Sequence, residues 1–258
     1  MSAVHRVLDP SAGSQIAPGR CALGVMTKAP RAGKVKTRLT PPLTPEEAAA
    51  LNICFLRDTS AAIAAASKEG IAHGVGVYTP VGMEHAWDDI LPHDFYLVAQ
   101  RGDAFGERLT LATEDLLSIG FESVCLIDSD SPTVPVRAYA DAARVLAAPG
   151  DRIVFGPSDD GGYYLIGMKQ VHRRLFQDID WSTERVAKQT LERAAEAGVE
   201  IHLLPTCFDV DDRATLRRLC DELIGGEAPP DRFAAPETRR FLETLIAREG
   251  RERIWPND

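Results

Sequence analysis

An apolar run, Cys21-Ala22-Leu23-Gly24-Val25-Met26, leads directly into Lys28-Ala29-Pro30-Arg31-Ala32-Gly33-Lys34-Val35-Lys36-Thr37-Arg38-Leu39. Lys28, Arg31, Lys34, Lys36 and Arg38 place five positive charges in eleven residues of a chain whose formal net charge is -9. Pro30 and Gly33 bar a regular helix or strand there, so the charges sit on a shaped loop after a strand. Such a loop gathers cations and backbone N–H groups at one edge of a sheet, which suits the phosphates of a nucleotide. Taken alone, the same charges also read as a solvated basic turn. The motifs further along the chain favour the phosphate reading.

Strand-like runs recur between amphipathic stretches on both sides of this segment. Hydrophobic periodicity predicts strands near Ala22–Thr27, Gly74–Thr79, Phe95–Gln100, Ser123–Asp128, Arg152–Gly156, Tyr163–Gly167 and Glu200–Leu204. Helices are expected at about Pro45–Ser67, Phe105–Ile119, Pro135–Ala147, Thr183–Ala197 and Arg213–Leu223, with a last one near Glu237–Arg248. The first carries a clear start signal: Thr44 as cap, Pro45 at the first helical position and Glu47 completing a capping box. This alternation implies a three-layer α/β/α sandwich on a mixed, mostly parallel sheet. Ligands in that architecture bind at the carboxyl ends of the strands.

Three acidic motifs fall at such ends. Val124-Cys125-Leu126-Ile127 runs into Asp128-Ser129-Asp130-Ser131-Pro132, which puts two carboxylates at a strand tip. Mg2+ or Mn2+ prefers carboxylate oxygen and keeps several waters, so one or two such groups plus a phosphate suffice. A helix cap by Asp130 is the competing reading. Phe208-Asp209-Val210-Asp211-Asp212 supplies carboxylates from a distant part of the chain, with Asp209 and Asp211 as the metal candidates. Asp211 or Asp212 could instead cap the following helix.

Between these motifs lies Ser158-Asp159-Asp160-Gly161-Gly162-Tyr163-Tyr164, where paired glycines would let backbone approach a ligand. A plain hairpin turn fits those residues equally well. Trp181-Ser182-Thr183 offers an indole platform and hydroxyls at a helix start, where a cap is the simpler role. Gly102-Asp103-Ala104-Phe105-Gly106-Glu107-Arg108 has glycines and helix-start amides that could line a base or ribose pocket; an ordinary strand-to-helix loop is again the plainer alternative.

Composition excludes several classes. The acidic balance argues against a duplex-binding face, and no long apolar segment suggests a membrane span. Residues 1–19, polar with Pro, Gly and Ser, read as a flexible leader without a signal-peptide core. Residues 20–224 read as the nucleotide-binding domain and 225–258 as a helical extension of it. The cysteines Cys21, Cys54, Cys125, Cys207 and Cys220 form no C-x-x-C pair and read as buried free thiols of a cytoplasmic protein. The six histidines contain no H-x-x-x-H pair, which leaves any metal to the carboxylates.

From about Cys21 to Leu219 the ordered motifs K-x-P-x-x-G-x-x-K-T-R-L, D-S-P, G-P-x-x-D-G-G-Y, W-S-T and D-V-D resemble the bacterial GT-A-fold transferases related to phospholactate guanylyltransferase. Some members of that group are described as glycosyltransferases linked to arsenosugar biosynthesis. The resemblance implies a nucleotide-diphospho-sugar transferase fold and a divalent metal. It places Lys28, Lys36 and Arg38 in the phosphate loop, joined by Lys34 and Thr37, with Gly102, Gly106 and Arg108 on the nucleotide side. Asp130 takes the position of the metal aspartate, and Asp209 and Asp211 that of the distal acidic motif; Asp128, a further metal candidate from its place at the strand tip, stands where relatives commonly carry glycine or another small residue. Asp160, Gly161, Gly162, Tyr163, Trp181, Ser182 and Thr183 fall on the substrate side. Tyr163-Tyr164 stands where the guanylyltransferases carry Thr-Asn, which points away from phospholactate as acceptor.

The leading expectation is nucleotidyl transfer from a nucleoside triphosphate to a phosphorylated small molecule, with Lys28, Lys36, Arg38 and Asp160 as the catalytic set. Glycosyl transfer from a sugar nucleotide is the alternative, with Asp159 or Asp160 as base. A nucleotide-binding domain without catalysis is the third. A homodimer through the last helix stays open.

Overall fold

The computed structural model describes residues 4–226 and 229–255. Met1–Ala3 at the start of the expected leader, two residues of the expected linker and the last three of the C-terminal extension lie outside the described residues. Eight described strands form one sheet: β1 (Arg6–Val7), β2 (Cys21–Lys28), β3 (Ala72–Thr79), β4 (Tyr96–Ala99), β5 (Ser123–Ile127), β6 (Arg152–Pro157), β7 (Tyr163–Met168) and β8 (Glu200–Leu203). Their order is β1-β4-β3-β2-β5-β7-β6-β8. All neighbours run parallel except β7, which is antiparallel to both β5 and β6.

Seven helices complete the described chain: α1 (Pro45–Ala66), α2 (Phe105–Ser118), α3 (Val136–Ala147), α4 (Val186–Glu196), α5 (Arg213–Leu223), α6 (Pro236–Glu249) and α7 (Arg251–Ile254). Side chains alternate between the two faces along each strand. Leu23, Val25, Cys125 and Ile127 pack with Leu56 and Ile63 of α1 and with Tyr139 and Leu146 of α3. Ala22, Val124 and Leu126 point the other way, onto Leu109 and Leu116 of α2 and Ala194 of α4. Each fully buried Leu or Ile of these layers is worth roughly 1.5–3 kcal/mol. The expected three-layer sandwich is the fold observed.

Helix α1 starts as the capping-box signal predicts. Thr44 Oγ1 accepts from Glu47 N–H at 3.2 Å, and Glu47 Oε2 accepts from Thr44 N–H at 2.9 Å. Its far side carries a third apolar cluster, in which Leu39 and Phe55 meet Leu219 of α5 and Leu242 and Leu245 of α6. The buried Asp58 carboxylate caps α6 by accepting from the N–H groups of Glu237 (3.1 Å) and Thr238 (2.8 Å). Leu242 and Leu245 of α6 are thus spent within the chain, and they pin the loop around Leu39 that follows the cationic residues.

The structure corrects the sequence reading in two places. The expected leader is built into the fold: Arg6 and Val7 pair with Tyr96 and Leu97, and Leu8 and Ile16 are buried. The His5 ring nitrogens sit 3.1 Å from the carbonyls of Phe95 and Trp87. Polar composition hid a few apolar residues that cover the edge of β4. Helix α4 also begins later than Thr183, because Thr183 Oγ1 donates to the Asp180 carbonyl (2.7 Å) and accepts from Arg185 N–H (3.3 Å). That local turn competes with the helix and holds Ser182 in a left-handed conformation at φ 64°.

Candidate active site

The carboxyl ends of β2, β5, β6 and β8 open on one edge of the sheet, so the motifs that follow them meet there. Two cavities share this edge. One, of about 310 Å³, is lined by Lys28, Lys36, Arg38, Asn52, Asp130 and Asp211, together with Val35, Thr37 and Ser129. The other, of about 750 Å³, takes in Thr37, Arg38, Asp130 and Asp211 again and continues to Asp128, Asp160, Asp209, Glu184, Phe105 and Trp181. The four shared residues make the cavities continuous.

In the smaller cavity the cations are not equivalent. Lys28 and Arg38 are exposed, while the Lys36 side chain is only 4% exposed. Lys36 Nζ lies 2.8 Å from Asp130 Oδ1 and 2.9 Å from Asp211 Oδ1, and donates to the Val210 carbonyl at 2.7 Å. Burial pushes its pKa down, but the Asp130 and Asp211 charges outweigh that and hold it above the ordinary lysine value. Arg38 also pairs with Asp211. Lys34 is exposed and lines neither cavity.

The acidic side chains divide as well. Asp130 does not cap a helix, since α3 begins only after Pro135. Asp212 caps α5, accepting from Thr215 N–H at 2.9 Å, which leaves Asp211 to the cavity. Burial, and then the charges of Asp160 and Asp211, raise the Asp209 carboxyl to about 6. Burial, with Asp130 and Asp209 nearby, pushes Asp128 well above the usual carboxylate range. Ser131 Oγ donates to its Oδ2 at 2.6 Å, and its Oδ1 is shielded from water without a protein partner.

The glycine pair does form a hairpin, between β6 and β7, and the hairpin also lines the larger cavity. Asp160 Oδ1 accepts from Gly162 N–H at 2.8 Å, which fixes the carboxylate at the turn. Gly161 has φ +90°, and a Cβ there would lie 2.2 Å from the Glu184 carbonyl oxygen. Only glycine lets the hairpin seat against the Trp181–Glu184 segment. Asp159 turns away to Arg218, whose guanidinium lies 4.0 Å from the centre of the Phe208 ring. Asp160, not Asp159, is therefore the hairpin acid at the cavity.

Phe105 and Trp181 meet edge to face with ring centroids 4.9 Å apart, forming an aromatic wall. Tyr163, Ser182 and Thr183 line the same cavity. The Tyr163 hydroxyl is out of reach of water without a protein partner, and burial pushes its pKa up.

Gly102, Gly106 and Arg108 line neither cavity. Gly102, at φ +93°, turns the chain beside Glu107, while Gly106 leaves room for the Phe176 carbonyl and the Trp181 indole. Arg108 donates back to the Asp103 carbonyl at 3.1 Å. Their loop contributes Phe105 instead. Phe105, Asn52, Ser129, Ser158 and Glu184 are lining residues the sequence reading missed. A polar residue set among the apolar Leu51, Cys54, Phe55 and Leu56 was the available signal at Asn52.

Among the described residues no three His, Cys, Asp or Glu side chains are gathered closely enough to hold a metal ion. Asp130 and Asp211 nevertheless already converge on a single cationic centre, the Lys36 ammonium. Hard carboxylate oxygens from two elements around one positive charge are a donor set that fits Mg2+ or Mn2+, with phosphate and water completing the shell.

Residues 62–183 match the profile of a family described as uncharacterized proteins conserved in bacteria (DUF2064). No curated protein matches the chain. Among solved structures, a protein of Desulfovibrio desulfuricans G20, provisionally named a nucleotide-diphospho-sugar transferase, is similar with a TM-score of 0.77 and 27% identity. The match covers 91% of this chain and 99% of that one. A nucleotidyl transferase of Methanothermobacter thermautotroptrophicus matches with a TM-score of 0.49 and 15% identity over 87% and 99% of the two chains. A mannosyltransferase of Pyrobaculum calidifontis, in complex with GDP-Man and Mn2+, matches with a TM-score of 0.43 and 16% identity over 91% and 77%. The near end-to-end match to the first bears out the nucleotide-diphospho-sugar transferase fold expected from the motifs. No helix of the described residues is long and apolar enough to cross a membrane.

Proposed function

We propose that this protein is a nucleotide-dependent transferase of the nucleotide-diphospho-sugar type, and that it moves a glycosyl group from a sugar nucleotide to a hydroxylated acceptor. The smaller cavity takes the diphosphate, with Lys28, Arg38 and the Lys36 loop as its counter-charges. The larger cavity takes the sugar and the acceptor hydroxyl.

One observation carries the choice of group. The described lining of the larger cavity includes six carboxyl side chains, Asp128, Asp130, Asp160, Glu184, Asp209 and Asp211, against one cation, Arg38. Lys36 and Arg38 match Asp130 and Asp211, and burial holds Asp128 above the usual carboxylate range, but a phosphorylated acceptor bringing about two negative charges into that field would still meet Asp160, Glu184 and Asp209 and be repelled. An uncharged polyol suits it: ionised carboxylates accept from several hydroxyls, and the Phe105–Trp181 wall offers apolar surface to a sugar ring. The name of the Desulfovibrio neighbour agrees with a sugar nucleotide as donor.

Asp130 and Asp211 would hold the divalent ion, which supplies positive charge to the departing diphosphate. Lys28 and Arg38 orient the same phosphates from the open side. In a direct displacement the acceptor oxygen bonds to the anomeric carbon while the bond from that carbon to the phosphate oxygen breaks. The electron pair leaves with the nucleoside diphosphate, and the hydroxyl proton passes to a carboxylate. Asp209, which lines the larger cavity, is placed to take that proton. Asp160, fixed by its bond to Gly162, lines the same cavity as a second acid.

The test is calorimetry with nucleoside triphosphates, nucleoside diphosphates and sugar nucleotides, each with and without Mn2+. A sugar nucleotide should bind more tightly than its own diphosphate, and it should be hydrolysed slowly or transferred. Equal binding of both would mean the larger cavity contributes nothing to the donor. Five cations in and around one loop favour a second reading, nucleotidyl transfer, because a triphosphate carries more charge than a diphosphate. Preferential binding of one triphosphate, with release of pyrophosphate, would establish that reading instead.

A further inference from the structure

The Lys36 ammonium has three hydrogen-bond donors and three acceptors: Asp130, Asp211 and the Val210 carbonyl, all within 2.9 Å. Its inner side is closed by the Phe55 ring, whose centre is 5.5 Å away. The contacts join residues 94 and 175 positions apart in sequence, from the tip of β5 and the start of α5, so this one cation ties the two halves of the acidic site together. The residue is also strained. Lys36 is not a glycine, yet it holds φ 48° and ψ 39°, and the next residue begins the short turn Thr37–Leu39. A left-handed conformation is costly for a side-chain-bearing residue, and such residues persist where surrounding contacts impose them.

Lys36 therefore stands differently from Lys28 and Arg38. Those two are exposed, and although Arg38 also pairs with Asp211, only Lys36 is buried and bridges both carboxylates proposed to hold a divalent ion. An ammonium and a divalent ion cannot share the same two carboxylate oxygens, because like charges a few ångströms apart in a half-buried site repel strongly. A phosphate chain in the smaller cavity offers Lys36 another set of anionic oxygens, since Lys36 lines that cavity too.

We propose that Lys36 is a resident cation at the Asp130–Asp211 pair, which nucleotide phosphates draw away to admit the divalent ion. This rests on the reading of Asp130 and Asp211 as the metal carboxylates and deepens it. Metal and nucleotide then bind cooperatively: phosphate removes the competitor, and metal prevents its return. The coupling is reciprocal, as linkage requires. The metal-free protein is spared an unpaired, mutually repelling acidic pair, because Lys36 neutralises it.

The test is binding of Mn2+ alone, by electron paramagnetic resonance, to the full-length wild type and to Lys36→Met. The variant should bind Mn2+ at least about tenfold more tightly, an expected size near the low end of known coupling factors. Adding Asp211→Asn to Lys36→Met should remove the gain, and Lys36→Arg should keep the weak wild-type affinity. Equal or weaker Mn2+ binding by a folded Lys36→Met would overturn the proposal while leaving the metal carboxylates standing. Failure of the wild type to bind Mn2+ even with nucleoside diphosphate or sugar nucleotide would overturn both. A second measurement needs no variant: in the wild type, the NMR signal of the buried lysine ammonium should be unmoved by Mg2+ alone. It should shift when Mg2+ and a nucleoside diphosphate are added together. Displacement by Mg2+ alone at the same concentration would refute cooperative exchange.

Discussion

Replacing Asp209 by Asn should make the metal-free protein more stable at neutral pH while abolishing transfer. Burial, with the charges of Asp160 and Asp211, raises the Asp209 carboxyl from 3.8 to about 6. The folded chain thus binds this proton more tightly than the unfolded chain does. Stability is therefore highest below the unfolded value and falls as pH rises through the window between the two, after which the whole cost is present. About two pH units at about 1.36 kcal/mol each give ~3 kcal/mol, which partial exposure to solvent reduces to about 1–2 kcal/mol. Asn keeps the shape and cannot ionise.

The assay is thermal melting of wild type and Asp209→Asn from pH 4 to pH 8, with chelator present. At pH 7.5 the variant should melt roughly 2–8 °C higher, taking about 2–4 °C per kcal/mol for a chain of this size. The gap should close towards pH 4, where the wild-type carboxyl is itself protonated. Activity with metal restored should fall by about a hundredfold or more if Asp209 takes the acceptor proton. Asp160→Asn supplies a control, since removing one of the raising charges should shift the pH window downward. A wild type more stable than Asp209→Asn at pH 7.5, or a gap independent of pH, would refute the electrostatic reasoning.

Gly161→Ala should cost roughly 2–4 kcal/mol in denaturant unfolding, since its Cβ meets the Glu184 carbonyl oxygen at 2.2 Å and φ is +90°; wild-type stability in this variant would mean the hairpin is free to move. Trp181→Ala removes half of the aromatic wall and should weaken sugar-nucleotide binding about tenfold, with nucleoside diphosphate binding unchanged, as read by calorimetry. Asp58→Ala leaves the Glu237 and Thr238 N–H groups of α6 uncapped and should cost about 1–2 kcal/mol in thermal unfolding, whereas Asp58→Asn should lose less.

The signals legible in the sequence were those that act over a few residues. Thr44-Pro45-Glu47 announces a helix start because all partners of the capping box lie within one turn, and the structure has it. Strand alternation placed Asp128 and Asp130 at the tip of a central strand for the same reason. The hairpin reading of Asp160-Gly161-Gly162 holds, and the same tight turn presents the Asp160 carboxylate at the cavity. Gly102 and Gly106 look like ligand-loop glycines, yet one makes a turn and the other clears space for Phe176 and Trp181, which no local pattern distinguishes. A lone aromatic at a helix start ordinarily reads as core, so no local pattern marks Phe105 as part of the cavity wall.

Charge balance is where local reading fails most. Lys36 counts as a free cation in its own loop, and the carboxylates that neutralise it come from 94 and 175 residues away. Each acidic motif by itself suggests half of a metal site. Only the sheet order, which brings the ends of β5, β6 and β8 to one edge, turns them into a cavity with six carboxyl groups. A metal with its phosphates would engage two of those groups, Asp130 and Asp211; Asp128 already accepts from Ser131 Oγ and is held well above the usual carboxylate range, which leaves Asp160, Glu184 and Asp209 to face the rest of the cavity. A phosphorylated acceptor would add charge of the same sign, whereas hydroxyl groups would supply the donors that ionised carboxylates lack. The excess of acid over what a metal requires is thus the feature on which the proposal of sugar transfer over nucleotidyl transfer rests, and it belongs to the fold and to no single motif.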